Sequence, residues 1–196
     1  MIDVPPFCGV GFKEWSGVCE ALATGRQTLI LRKGGIAEDG GVFRPEHRVF
    51  WLFPTRLHES QQGLREESSI IEPSNDDPSI VPIQSLGVVD SVHLIEREQD
   101  LESLQSFHVW TDETVHKRFH YRRPGIWVLG VRIWNRAEAE LIRTTTEQLG
   151  CKTWVPLDPP ISTAGLIAAL EDEAWRVEAE RLRAAIGSHR DDGPLE

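Results

Sequence analysis

"QTLILRKGGI", residues 27–36, is the stretch on which the fold turns. Thr28 to Arg32 reads as a short buried strand. It ends in two cations, Arg32 and Lys33, and two glycines, Gly34 and Gly35. Cationic side chains and glycine N–H groups at a strand end can converge on a phosphate or a carboxylate. Strand alternation sends Arg32 and Lys33 to opposite faces, so only one of them shares a face with Thr28 and Ile30. The plainer reading is a tight Gly34-Gly35 turn whose cations pair with Glu38 or Asp39.

Outward from this strand, elements alternate. Residues 13–24, "KEWSGVCEALAT", place Trp15, Val18, Cys19 and Leu22 at helical spacing, and Gly25 suits the left-handed position just past a helix. Strands are expected at 49–55, stopped by Pro54, at 86–96, at 126–134, the most hydrophobic run, and at 153–157. Helices are expected at 98–106, at 113–121 behind a Thr111 or Asp112 cap, and at 136–149 behind Asn135. Ser162 caps a last helix of roughly 25 residues, about 37 Å long. Its apolar positions are Leu166, Ile167, Leu170, Trp175, Val177 and Leu182, and its last two turns are strongly charged.

This pattern predicts an α+β fold: a small mixed or mainly antiparallel, barrel-like sheet with flanking helices and a long C-terminal helix. One domain over 1–160 is expected, with 59–79 as an acidic, mobile loop, 161–187 as the C-terminal helix and 188–196 as a disordered tail.

The 196-residue chain carries a formal charge of −10 and is 40% hydrophobic and 27% charged. The bulk field therefore disfavours nonspecific binding to nucleic acid or anionic membrane, leaving only local basic patches for that role. No apolar run reaches the ~18 residues of a membrane span. Three cysteines without a CxxC pair, and a start without a signal-peptide pattern, suit a reducing, cytoplasmic setting. Seven tryptophans against one tyrosine are spread along the chain, mostly as core fillers.

Several residues over 13–60 resemble the DUF1802 family of bacterial and archaeal proteins. They are Lys13-Glu14-Trp15, Glu20-Ala21-Leu22, Gly25, Gln27, Leu31-Arg32-Lys33-Gly34-Gly35-Ile36, Glu38, Phe50-Trp51-Leu52-Phe53-Pro54-Thr55 and His58. The resemblance extends over "YRRPGIWVLGVRIW" (121–134) and implies no activity by itself. "GRQTLILR" (25–32) is similar to the helix–glycine–strand passage of PUA-like ASCH domains, which implies a small barrel that binds RNA, modified bases or nucleotides. It has Gln27 where a Lys is usual there and Ile30 where a Glu is usual. "FWLFP" and "LREES" resemble Nudix hydrolases in order. However, Thr55-Arg56 replaces two glycines, and the adjacent Glu66 and Glu67 point about 100° apart, which does not make a metal-binding helix face.

Candidate ligand-binding residues are Arg32, Lys33, Gly34, Gly35, Thr55, Arg122 and Arg123. Candidate catalytic residues are Glu20, a mid-helix acid that could pair with Arg32, and His58, which follows a strand end and titrates near neutral pH. Lys13 and Glu14 read as a helix start, where Glu14 complements the dipole. His116 and His120 have the i, i+4 spacing of a metal pair, but Lys117 and Arg118 between them count against a metal. "HKRFHYRR" (116–123) reads instead as a basic aromatic patch suited to phosphates and stacked bases, or as a solvated face. No metal site is implied, and no residue pattern names a cofactor, so its identity stays open.

Three functions remain open. The first is a binding module for a phosphorylated or nucleic-acid ligand. The second is a nucleotide-processing or hydrolytic enzyme using the same pocket. The third is a protein-interaction module, or a homo-oligomer, built through the C-terminal helix. The absence of an evident nucleophile or metal cage places binding first.

Overall fold

The strand read at 28–32 is β2, Leu29–Arg32, and its first three residues are wholly buried. The computed structural model describes residues 4–33, 46–55, 63–65, 77, 79–150 and 152–187. The expected loop 59–79 and the tail 188–196 lie largely or wholly outside them.

The architecture is α+β. Besides β2, the strands are β1 (Phe7–Trp15), β3 (Val49–Thr55), β4 (Ile80–Ile95), β5 (Ile126–Arg143), β6 (Trp154–Ser162) and β7 (Ile167–Ala168). The helices are α1 (Ser16–Ala23), α2 (Asp112–His120), α3 (Thr146–Leu149) and α4 (Asp172–Ile186), with a 3₁₀ segment at Glu98–Phe107. The strands form one mixed sheet in the order β2-β5-β4-β3-β1-β6, with β7 on β5. β1 and β3 run parallel and the remaining pairs are antiparallel. The ladder does not close into a barrel. The Arg32 guanidinium crosses from edge strand β2 to the Lys13 carbonyl of β1 and to Thr153 Oγ1, just before edge strand β6, each at 3.0 Å.

Strand alternation divides the core. Phe50 and Leu52 of β3 join a large cluster with Phe12, Leu22, Leu29, Val128 and Leu129, while Trp51 and Phe53 join a smaller one with Val155 and Leu157. Phe12 lies 4.8 Å from both Phe50 and Trp154.

Four expectations change. Residues 13–15 do not open a helix; they end β1, a strand that Pro5, Pro6, Gly9 and Gly11 disguised. Gly11 is there because a Cβ would stand 2.9 Å from Val155 Cγ2. β3 spans Val49–Thr55 as read, with Pro54 inside the strand rather than ending it. The helix expected at 136–149 is mostly strand. Arg136 to Arg143 extend β5, paired with β4 through Val81↔Ile142 and Ile83↔Glu140, and only Thr146–Leu149 is helical. Asn135 caps no helix; its side-chain amide donates to the Ala23 carbonyl at 2.8 Å and so ties β5 to the end of α1.

The C-terminal helix is also shorter than read. Residues 154–162 are strand β6, Gly165 turns at φ 72°, and Ile167–Ala168 pairs with β5 before α4 begins at Asp172. The apolar stripe of α4, namely Trp175, Ala179, Leu182 and Ile186, is buried along its whole length. Ser103 Oγ donates to the Ala185 carbonyl, and Arg183 pairs with Asp90 at 2.7 Å. The charged last turns therefore lie against the rest of the domain.

Candidate functional site

Because β1 and β3 are parallel, they end on the same side of the sheet, with Trp15 beside Thr55. Thr55 Oγ1 donates to the Glu14 carbonyl at 3.2 Å. The chain turns from Trp15 directly into α1 and leaves that helix at Gly25, whose φ of +71° suits a residue without a Cβ. Buried Gln27 then fixes the corner. Its amide donates to Leu29 O at 2.7 Å, and its side-chain carbonyl accepts Val109 N–H at 3.0 Å. This places the end of β2 against the end of β1.

Arg32 meets Glu14 at that junction. Their closest charged atoms are 3.7 Å apart, the Glu14 side chain is fully buried, and that of Arg32 is 19% exposed. The Arg32 guanidinium also covers the Phe12 ring at 5.0 Å. Glu14 Oε1 accepts the Trp15 N–H at 2.9 Å. Glu14 Oε2 and Arg32 Nε are buried with no hydrogen-bond partner among the described residues.

A second guanidinium arrives from α2. Of the two caps the sequence offered, Thr111 caps this helix by accepting Thr114 N–H, and Asp112 opens it. Its apolar positions Val115 and Phe119 face inward, and Arg118, three residues after Val115, sits beside them. The Arg118 guanidinium lies 4.2 Å from the Trp15 ring and 4.9 Å from the Trp110 ring, and donates to Leu31 O at 3.4 Å. Burial pulls its pKa down to about 10; the charge of Glu14 opposes that shift and Arg32 adds to it. Burial and the nearby Glu14 charge raise the Cys19 thiol well above its usual range, so it stays protonated. Among the described residues, two arginines thus lie near one buried carboxylate, an excess of one positive charge.

The other expected site residues distribute as follows. Lys33 donates to three backbone carbonyls, those of Phe119 at 3.0 Å, Arg123 and Gly125, and so ties down the turn after α2. Burial, then the charge of Arg123, lowers its pKa. Arg122 holds φ 63° in that turn and stacks over Tyr121 at 5.2 Å. Thr55 shares the Glu14 junction with Arg32, whereas Arg122 and Arg123 sit on the Lys33 side. Glu20 is not the partner of Arg32; it lies on α1, 3.5 Å from Arg26, and Glu14 takes the place expected of it. Gly34, Gly35 and His58 fall outside the described residues.

The segment 116–123 does not form one basic face. Lys117 pairs outward with Glu113, Arg118 points inward, and His116 and His120 meet Glu98. Glu14 and Arg118 were missed as site residues. The Val115/Phe119 spacing carried a signal for Arg118, because it marks the inner face of α2.

Fold and site together define an α+β domain with an open mixed sheet and, where β1, β2 and β3 end, a buried Glu14 flanked by the partly buried Arg32 and Arg118. The chain belongs to the DUF1802 family, described as a domain of unknown function, whose model matches residues 11–181. No curated protein matches the sequence. Among solved structures, the ASCH protein of Zymomonas mobilis is 13% identical with a TM-score of 0.43, over 88% of this chain and 92% of that one. A serine-to-alanine mutant protein from the same organism is 10% identical with a TM-score of 0.44, over 90% of this chain and 98% of that one. Among the described residues, no helix is long and apolar enough to cross a membrane.

Proposed function

We propose that the protein is a binding module for a phosphate-bearing ligand, a nucleotide or a single-stranded nucleic acid, held at the Arg32 end of the sheet. The observation that carries this reading is the charge imbalance of the Glu14, Arg32 and Arg118 cluster. Two partly desolvated guanidiniums beside a single carboxylate, among the described residues, favour a further anion more strongly than solvated cations do. Arg32 remains partly exposed, so a ligand can reach it. Its Nε and Glu14 Oε2 are buried polar atoms of a kind that folded proteins ordinarily satisfy. With a net charge of −10, affinity for a polyanion would have to come from this local site rather than from the bulk field.

The test is fluorescence anisotropy with a labelled short single-stranded RNA, in competition with mononucleotides and inorganic phosphate, at low and high salt. Binding should weaken as salt rises. Arg32→Gln should weaken it by about tenfold, the worth of one charge-assisted hydrogen bond, while Lys117→Gln leaves it unchanged. No binding at low salt, or equal binding by Arg32→Gln, rejects the reading.

A further inference from the structure

We propose that Glu98, His116 and His120 bind one divalent transition-metal ion. This rests on a different face of the molecule and does not depend on the function proposed above. His116 and His120 are one helical turn apart on α2 and project from the same side. Glu98 opens the 3₁₀ segment that packs beside this helix. Its Oε1 is 2.6 Å from His116 Nδ1 and 2.9 Å from His120 Nε2. The three ligand atoms all lie within 4.8 Å of one another.

The donor set decides the class of ion. Two imidazoles and one carboxylate suit zinc and its neighbours, whereas magnesium and calcium prefer oxygen alone. In a tetrahedral zinc site with bonds of about 2.0–2.1 Å, ligand atoms stand about 3.3 Å apart. The two carboxylate–imidazole distances, 2.6 and 2.9 Å, need to lengthen by about half an ångström to admit the ion. An exposed carboxylate and two surface imidazoles can do this by small rotations. The side chains of Glu98, His116 and His120 are 45%, 45% and 52% exposed, so the ion enters from solvent and keeps water on its remaining positions.

The cations that counted against a metal in the sequence are directed elsewhere. Lys117 pairs with Glu113. Arg118 turns beneath Trp15 and Trp110. Arg97, next to Glu98, is held in a two-pronged contact by Asp100 at 2.9 and 3.1 Å. The bound ion would pin the start of the 3₁₀ segment to two positions of α2.

The experiment uses the full chain, stripped with a chelator and titrated with cobalt(II), followed by zinc in competition with a chromophoric indicator. One equivalent of cobalt should bind, with visible absorption bands that zinc abolishes. His116→Ala and His120→Ala should each lower zinc affinity at least tenfold, and Glu98→Gln should lower it by a smaller factor. Far-UV circular dichroism should stay unchanged, since all three side chains are at the surface. Failure of the unaltered chain to take up one equivalent overturns the proposal. So does uptake undiminished in the His116→Ala/His120→Ala double variant, which would place the ion elsewhere.

Discussion

Replacing Glu14 by Gln tests the central cluster. The side chain is fully buried, and one oxygen lies 3.7 Å from the Arg32 guanidinium. At an effective dielectric constant of about 20, unit charges at that distance attract by about 4.5 kcal/mol. Arg32 is partly solvated, which reduces the loss, while Arg118 beside the same carboxylate adds to it. Removing one partner of a buried pair costs about 3–5 kcal/mol in general, because the remaining charge is left uncompensated. The glutamine oxygen can still accept the Trp15 N–H, so that bond drops out of the comparison. The expected destabilisation is about 3 kcal/mol, a fall in Tm of about 7 °C for a chain of this length. Urea unfolding and calorimetry of Glu14→Gln beside Glu20→Gln measure it directly. Glu20 forms a partly exposed pair with Arg26, so its change should stay within about 0.5 kcal/mol. The Glu14→Gln protein should also bind anions no more weakly than the unaltered chain, since it gains net positive charge at the cluster. Equal stability of Glu14→Gln and the unaltered protein would refute the description of a buried carboxylate compensating two partly buried arginines.

Other positions give independent tests. Burial, reinforced by the charge of Arg65, holds His108 down to about 4. The unfolded chain takes up this proton near pH 6.5 and the folded one does not, so stability falls as pH drops from about 6.5 towards 4. About 2 kcal/mol should be lost between neutral pH and pH 5. Urea midpoints of His108→Gln should lack this share of the slope; an identical slope rejects it. Gly25→Ala should cost about 1–2 kcal/mol, because φ is +71° and a Cβ would stand 2.7 Å from Leu170 Cδ2. Leu170→Ala should restore part of that loss in chemical denaturation, and full additivity of the two changes would contradict the clash. Lys33→Met releases three carbonyls, so amide exchange across 119–125 should speed up while exchange in β5 stays as it was. Unchanged exchange at 119–125 would mean that the lysine does not hold the turn.

Much of the fold was legible where local and global signals agreed. Leu29 to Leu31 are apolar and buried without interruption, so β2 reads as a strand from any direction. Thr111 caps α2, and Gly25 ends α1 with a positive φ, as their residue types indicated. Other segments gave misleading local signals. "RAEAELIR" is built from helix formers, yet pairing with β4 holds it extended; tertiary hydrogen bonds outweigh propensities of a few tenths of a kcal/mol per residue. The strand read at 153–157 runs on through Pro159 and Pro160 to Ser162 against β1.

By itself the sequence determined the α+β class, the buried strand that ends at Arg32 and the glycine that closes α1. These follow from residue type, apolar spacing and chain neighbours. Only the tertiary structure decided which groups meet. It set Glu14 rather than Glu20 against Arg32, brought Arg118 from α2 between Trp15 and Trp110, gave Lys33 to the carbonyls of a turn, and carried Glu98 to His116 and His120. The physical reason is that such partnerships depend on strand register and helix docking between segments far apart in the chain, and no local pattern encodes them.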